Sequence, residues 1–427
     1  MSRLTRRSAL AVVGTALASG LAGCSGTGSS ESTVEYDRSA IRALPGDLPR
    51  VTATIPVQPT EEHLAAARER VRSLLDGADV SAVPNAAVRH ELAAERDAAR
   101  GALSQDRDGE TRADALAGLT HPRSEAMFVH AGLAAFDGEL TAADVTERRE
   151  RHHQDATAFL DDYRHAGPAD DPVAALAEHA EITDWGHTGV RLTRANERHE
   201  YENTVLRVAE LAQGVEWGRA YAADARHLHE HYVSTFDDPR DYGARFETVA
   251  ATLVEEVEPH ATPPDWDAVG SEIDRDIADT AGETLLEELT RSRWTGARNA
   301  VDRRDGGRPA GAITAVMRAL AADGALADAE AAVADGEYGV PESIDPIAAE
   351  RTAAVDGLRT LLDSSPALLA RRLAQIVHSR IQNADELVRS GAVPEPGRSL
   401  YAEYAAANLL ATAAPTVAER VGDAVTD

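Results

Sequence analysis

Lysine is absent from the 427 residues, so all 43 positive side chains are arginine, set against 72 Asp and Glu. Cysteine occurs once, which excludes a disulfide within the chain and any metal site built from several thiolates. Aromatic residues make up only 4%, so helices can approach closely over small side chains. The sequence holds no Gly-x-Ser-x-Gly, no Gly-x-Gly-x-x-Gly and no His-Glu-x-x-His, and without lysine it cannot hold a P-loop. Nothing therefore points to a nucleophilic serine or a nucleotide-phosphate loop. A formal net charge of -29 sets the surface against nucleic acid as a partner.

What is present is globular in composition, with 43% hydrophobic residues. In molar salt the Debye length falls to about 3 Å, so crowded carboxylates repel little and remain hydrated. Loss of lysine fits the same setting, because its long apolar stem adds surface that strong salt drives together. A GC-rich genome would explain arginine in place of lysine, but not the acid excess. The pattern resembles proteins of extreme halophiles, in particular haloarchaea.

The N-terminus carries the most specific signal. Arg3, Arg6 and Arg7 precede an apolar run from Ala9 to Ala22, with no acid among them, and Leu21-Ala22-Gly23-Cys24 ends the run. The run is too short and too interrupted by glycine for a membrane span and reads as a targeting segment. Leu21–Cys24 resembles a lipobox, whose cysteine is lipidated and becomes the first residue of the mature chain. Thr5-Arg6-Arg7-Ser8-Ala9-Leu10 resembles the twin-arginine export motif, departing from it at Ala9, so the Tat and Sec routes both stay open. The resemblance to a haloarchaeal Tat-type exported lipoprotein covers residues 1–24 alone. It implies a signal peptide over 1–23, a membrane anchor at Cys24 and a folded part on the outer face of the cytoplasmic membrane. No later stretch reads as long and apolar enough to cross a bilayer.

Ser, Gly and Thr dominate residues 25–33, the composition of a tether, and residues 24–59 are read as tether plus a short extended segment. Val51–Val57 alternates apolar and polar residues around Pro56, which predicts at most one short edge strand. Everything beyond predicts helix. Leu64, Ala67, Val71, Leu74 and Leu75 recur at helical spacing after Thr60; Phe246, Val249, Leu253 and Val257 repeat the pattern, as do Ile313, Val316, Met317 and Leu320. Leu369, Leu373, Ile376 and Val377 form another stripe, and Leu400, Tyr404, Asn408 and Leu409 a last one. The fold class expected is all-α, in antiparallel helical bundles. Three prolines between Pro259 and Pro264 suggest a boundary between a His-rich subdomain, 60–262, and a second helical subdomain, 263–427.

Two clusters carry possible chemistry. Nine of the 15 histidines fall between residues 152 and 231. Glu150 and His153 stand three apart, as do Asp224 and His227, while His227 and His231 stand four apart, which puts each pair on one helix face. Carboxylate and imidazole at that spacing, from two helices, is how bundles hold a transition metal such as Zn, Cu or Fe. An acid-rich chain also produces this spacing by chance. The second cluster is an arginine island over residues 291–308, with Arg298, Arg303, Arg304 and Arg308 beside the Gly306–Gly311 turn. Guanidinium groups next to a helix start suit a phosphate or carboxylate, and internal ion pairing is the plainer explanation. The expectation is a lipid-anchored, extracytoplasmic module that binds a ligand or partner without catalysis. A metal-binding or metal-dependent redox protein is the alternative.

Overall fold

The computed structural model describes residues 36–52, 57–104, 111–195, 199–391, 393 and 395–427. The export signal with Arg6 and Arg7, the lipidation residue Cys24 and the first part of the tether lie outside the described residues. In chain order the helices are α1 (Arg38–Arg42), α2 (Glu61–Leu75), α3 (Ala86–Ser104), α4 (Arg112–Gly118) and α5 (Thr120–Phe136). Then come α6 (Ala142–Asp161), α7 (Pro172–Leu192), α8 (Thr204–Ser234) and α9 (Gly243–Val257). The chain closes with α10 (Ala281–Asp305), α11 (Pro309–Asp335), α12 (Asp345–Leu362), α13 (Ala367–Ser390) and α14 (Tyr401–Thr426). The fold is all-α. Among the described residues the only strands are β1 (Ala166–Gly167) and β2 (Arg240–Asp241), a two-residue antiparallel pair. The edge strand expected over 51–57 falls mostly outside the described residues, and Val51, Thr52 and Val57 are not in a strand.

Helices begin where the sequence supplies an acceptor for their free amides. Thr60 Oγ1 accepts from the His63 amide at 3.2 Å at the start of α2. Thr111 with Asp114 and Thr141 with Asp144 close capping boxes on α4 and α6, and Asn203 takes two amides of α8.

Residues 36–427 form one compact body with distinct cores. Val71, Leu92, Phe128, Val208 and Ala209 join α2, α3, α5 and α8. A larger core holds Phe246 of α9, Leu285 of α10, Ile313 of α11, Leu358 of α12, Leu373 of α13 and Tyr404 of α14. Helix α7 serves both sides: Leu176 and Ala180 enter the large core, whereas Ile182 and Trp185 pack with Leu64, Leu116 and Leu228. Where α7 crosses α8, a methyl on Gly189 would stand 2.9 Å from the Gly218 carbonyl oxygen, so both positions need glycine.

Two expectations need correction. The proline-rich stretch after α9 does not separate subdomains at 262/263, because Phe246, Leu253, Val254 and Val257 bury α9 in the same core as α10–α14. A later stretch does meet the length and apolarity of a membrane span, namely α11, with a mean hydropathy of 1.3 over its most apolar window. That window is 72% buried inside the protein, as befits a central core helix. Its alanines let α9, α10 and α14 crowd around it.

Two buried arginine–aspartate pairs tie helices together. Arg351 donates to both carboxylate oxygens of Asp385, at 2.9 and 2.7 Å, and to the Gly46 carbonyl at 3.0 Å. Tyr404 adds a hydroxyl to Asp385 at 2.7 Å, so one carboxylate ties together α12, α13 and α14. In the N-terminal half, Arg123 grips the wholly buried Asp224 with both terminal nitrogens, and His63 Nε2 donates to the same carboxylate at 2.8 Å.

Candidate functional site: an arginine-lined cleft

A cleft of about 570 Å³ opens between α10, α11, α13 and α14. Helical spacing builds its walls. Glu288, Gly296, Asn299 and Arg303 lie along one face of α10, and Arg372, Ile376, Arg380 and Asn383 along one face of α13. Thr314, Met317 and Arg318 come from α11, and Glu403 from α14. Four arginines therefore face one cavity in a chain of net charge -29.

Three of the four are held by carboxylates. Arg303 donates to Asp184 of α7 at 2.7 Å and to the Gly311 carbonyl at 3.0 Å. Arg372 donates to Glu181 at 3.1 Å, and Glu181 also accepts the Trp185 indole N–H at 2.9 Å. Arg380 donates to Glu403 at 3.0 Å and lies 3.7 Å from Glu288. Burial raises the Asp184 carboxyl above its ordinary range, against the opposing pull of Arg303 and Arg372. Burial does the same to Glu403, opposed by Arg380.

Arg318 differs. Its Nε is buried without a hydrogen-bond partner, and among the described residues no carboxylate pairs with its guanidinium. Burial, reinforced by the charge of Arg380, pulls its pKa below the ordinary arginine value. An arginine stays charged even so. The cleft therefore contains one cation without a counterion, and its rim carries Asn299, Ser379 and Asn383, all exposed.

Of the arginine island, only Arg303 reaches the cleft. Arg298 is exposed, 3.8 Å from Asp302 and over the Trp294 ring. Arg304 is bound by Glu258, at 3.1 and 3.2 Å, and by Asp305 at 2.9 Å. Arg308 donates weakly to the Asp302 carbonyl at 3.4 Å. Of the four arginines expected to bind an anion, Arg303 alone lines the cleft. Sequence reasoning missed Arg318, Arg372 and Arg380. A signal for the first was available: Arg318 is the one positive residue in the 27 residues of α11.

The metal reading fails on geometry. Among the described residues no group of three or more His, Cys, Asp or Glu is placed to hold a metal ion. Glu150 is exposed, and His153 Nδ1 contacts the Thr193 hydroxyl at 3.1 Å. Asp224 is consumed by Arg123 and His63. His227 stacks on His63, with ring centroids 3.8 Å apart and planes within 2°, and its Nε2 accepts the Thr60 amide at 3.4 Å. His231 stands in the same stack, its centroid 6.0 Å from that of His227. Parallel rings do not aim their lone pairs at a common point.

Of the remaining histidines of that interval, His199 is exposed and His179 is wholly buried. His179 Nε2 donates to the Ala166 carbonyl at 3.1 Å, which leaves Nδ1 to accept the Tyr163 hydroxyl at 2.6 Å. His165, His229 and Tyr232 pack around this pair. Glu178 is nearby and wholly buried; burial raises its carboxyl to about 8, and a single amide, that of Val57 at 3.2 Å, reaches it.

Residues 62–238 match the model of a family described as a domain of unknown function (DUF8262), and residues 243–423 match a second so described (DUF8264). Each covers less than half of the chain, and they meet between the end of α8 and the start of α9. No curated protein and no solved structure matches the chain.

Proposed function

We propose that this chain is a binding module that takes a small anionic ligand in the cleft between α10, α11, α13 and α14, and that a lipid on Cys24 holds it at the outer face of the membrane. The observation that carries the first part is the unpaired guanidinium of Arg318 inside a cavity. Elsewhere this acid-rich chain surrounds its buried arginines with carboxylates, as at Asp385 and Asp224. A buried cation without a carboxylate of its own gains most from an anion that comes from outside. Arg303, Arg372 and Arg380 add positive potential while their own carboxylates fix their positions.

The second part rests on Arg6, Arg7 and the Leu21–Cys24 motif. A tethered body of this acidity suits salt-rich surroundings, where screening removes much of its self-repulsion. The test of the ligand reading is thermal unfolding in molar KCl with added acetate as the simplest carboxylate probe. The expected result is a rise in Tm that grows with acetate in the native chain and disappears in Arg318→Met. An equal response of both proteins would overturn the reading.

A further inference from the structure

We infer that the cleft is built for a monoanionic, polyhydroxylated ligand, meaning one carboxylate carried on an otherwise neutral polyol, of which an acidic sugar is the simplest kind. This deepens the anion-binding reading above and rests on it.

Charge sets the first limit. Arg303, Arg372 and Arg380 already hold Asp184, Glu181 and Glu403, so among the cleft's arginines only Arg318 has its charge left for a ligand. One free guanidinium matches one oxyanion, and its planar fork matches a carboxylate through two parallel N–H···O bonds. A second anionic group on the ligand would meet Glu288 and Glu403, which face the same cavity. The lining therefore selects against citrate-like polyanions by like-charge repulsion.

The rim sets the second limit. Asn299, Ser379 and Asn383 make no side-chain hydrogen bond among the described residues, and all three border the cavity. Amides and a hydroxyl both donate and accept, which is what ligand hydroxyls require. Glu288 offers further acceptor capacity at the same wall. No aromatic ring lines the cleft, so a nucleobase would find nothing to stack on. The volume of about 570 Å³ exceeds what acetate would fill and leaves room for a sugar-sized body.

Calorimetric titration in molar KCl at pH 7, with D-glucuronate, D-glucose, acetate and citrate as the probes, tests this. Glucuronate should bind at least tenfold more tightly than acetate or citrate, and glucose should bind at least tenfold more weakly than glucuronate. Arg318→Met should abolish glucuronate binding while leaving the helical circular dichroism intact. An Asn299→Ala, Asn383→Ala double variant should weaken glucuronate severalfold and leave acetate unchanged. If acetate matches glucuronate, or citrate surpasses it, the monoanionic-polyol inference is overturned while the anion reading stands. If glucose matches glucuronate, or none of the four binds, both fall together.

Discussion

Arg318 and Arg351 have lost much of their water on neighbouring core helices, and their surroundings give them opposite responses to substitution. Arg351 is compensated by Asp385, Tyr404 and the Gly46 carbonyl. Removing its partner by Asp385→Ala strands a buried cation, with an expected loss of about 3–5 kcal/mol. Arg318 is already stranded, so Arg318→Met relieves an uncompensated donor and is expected to raise stability by about 1 kcal/mol or more. Denaturant midpoints of the two variants against the native chain check both signs. A destabilised Arg318→Met would mean that the guanidinium has a partner and that the cleft offers no free cation. Site residues of this kind are hard to read in sequence. Arg318 follows Met317 in an apolar stripe and reads as a stray cation, and only three-dimensional packing separates it from the arginines that have found carboxylates.

At the scale of elements, hydrophobic period made the helices legible. Every residue of the stripe Leu64, Ala67, Val71, Leu74 and Leu75 is buried in α2, and Phe246, Leu253 and Val257 are buried in α9. Histidine spacing is less informative, because i, i+3 and i, i+4 fix a helix face but not what that face meets. The face of α8 carrying Asp224 and His227 meets Arg123, His63 and Thr60, which occupy both Asp224 oxygens and His227 Nε2. Those histidines instead shape the pH response. Burial lowers His165, His187 and His227 to about 4 and holds His179 well below its ordinary value. The folded state then binds fewer protons than the unfolded one, so their contribution is complete above the unfolded value of 6.5 and is lost as pH falls from 6.5 toward 4. Glu178, raised to about 8, works in the other direction: its contribution is complete below 4.5 and is lost as pH rises through 8. Unfolding midpoints from pH 4.5 to 9 should fall at the acid end in both the native chain and Glu178→Gln. Only the native chain should carry the alkaline loss, read between pH 6.5 and 8. Parallel curves for the two proteins across that alkaline span would show that the Glu178 carboxyl is not raised.

For the whole molecule, the proline-rich stretch reads as a division in the sequence, yet α9 shares its core with α10–α14. Prolines between 259 and 264 mark a connection between α9 and α10 within one core, not an edge between two. Composition cannot distinguish these cases, since a loop over a core and a linker between cores use the same residues. The tether proposal belongs to this scale too. Cys24→Ser should release the protein from membranes into the medium, measured by immunoblot of the two fractions. Continued retention of the variant would refute the lipid anchor.

The floor of the cleft has a consequence for how its selectivity could drift. A methyl group at Gly296, which lines the cavity, would stand 2.7 Å from the Ala319 amide nitrogen, one residue beyond Arg318. The width at that crossing is thus set by main chain against main chain, with no side chain available to trim or extend by small steps. Neutral variation at the rim can retune which hydroxyls are recognised. Any change at position 296 larger than hydrogen must push α11 aside and carry its lone cation with it, so the pocket's depth is inherited as a single all-or-nothing trait.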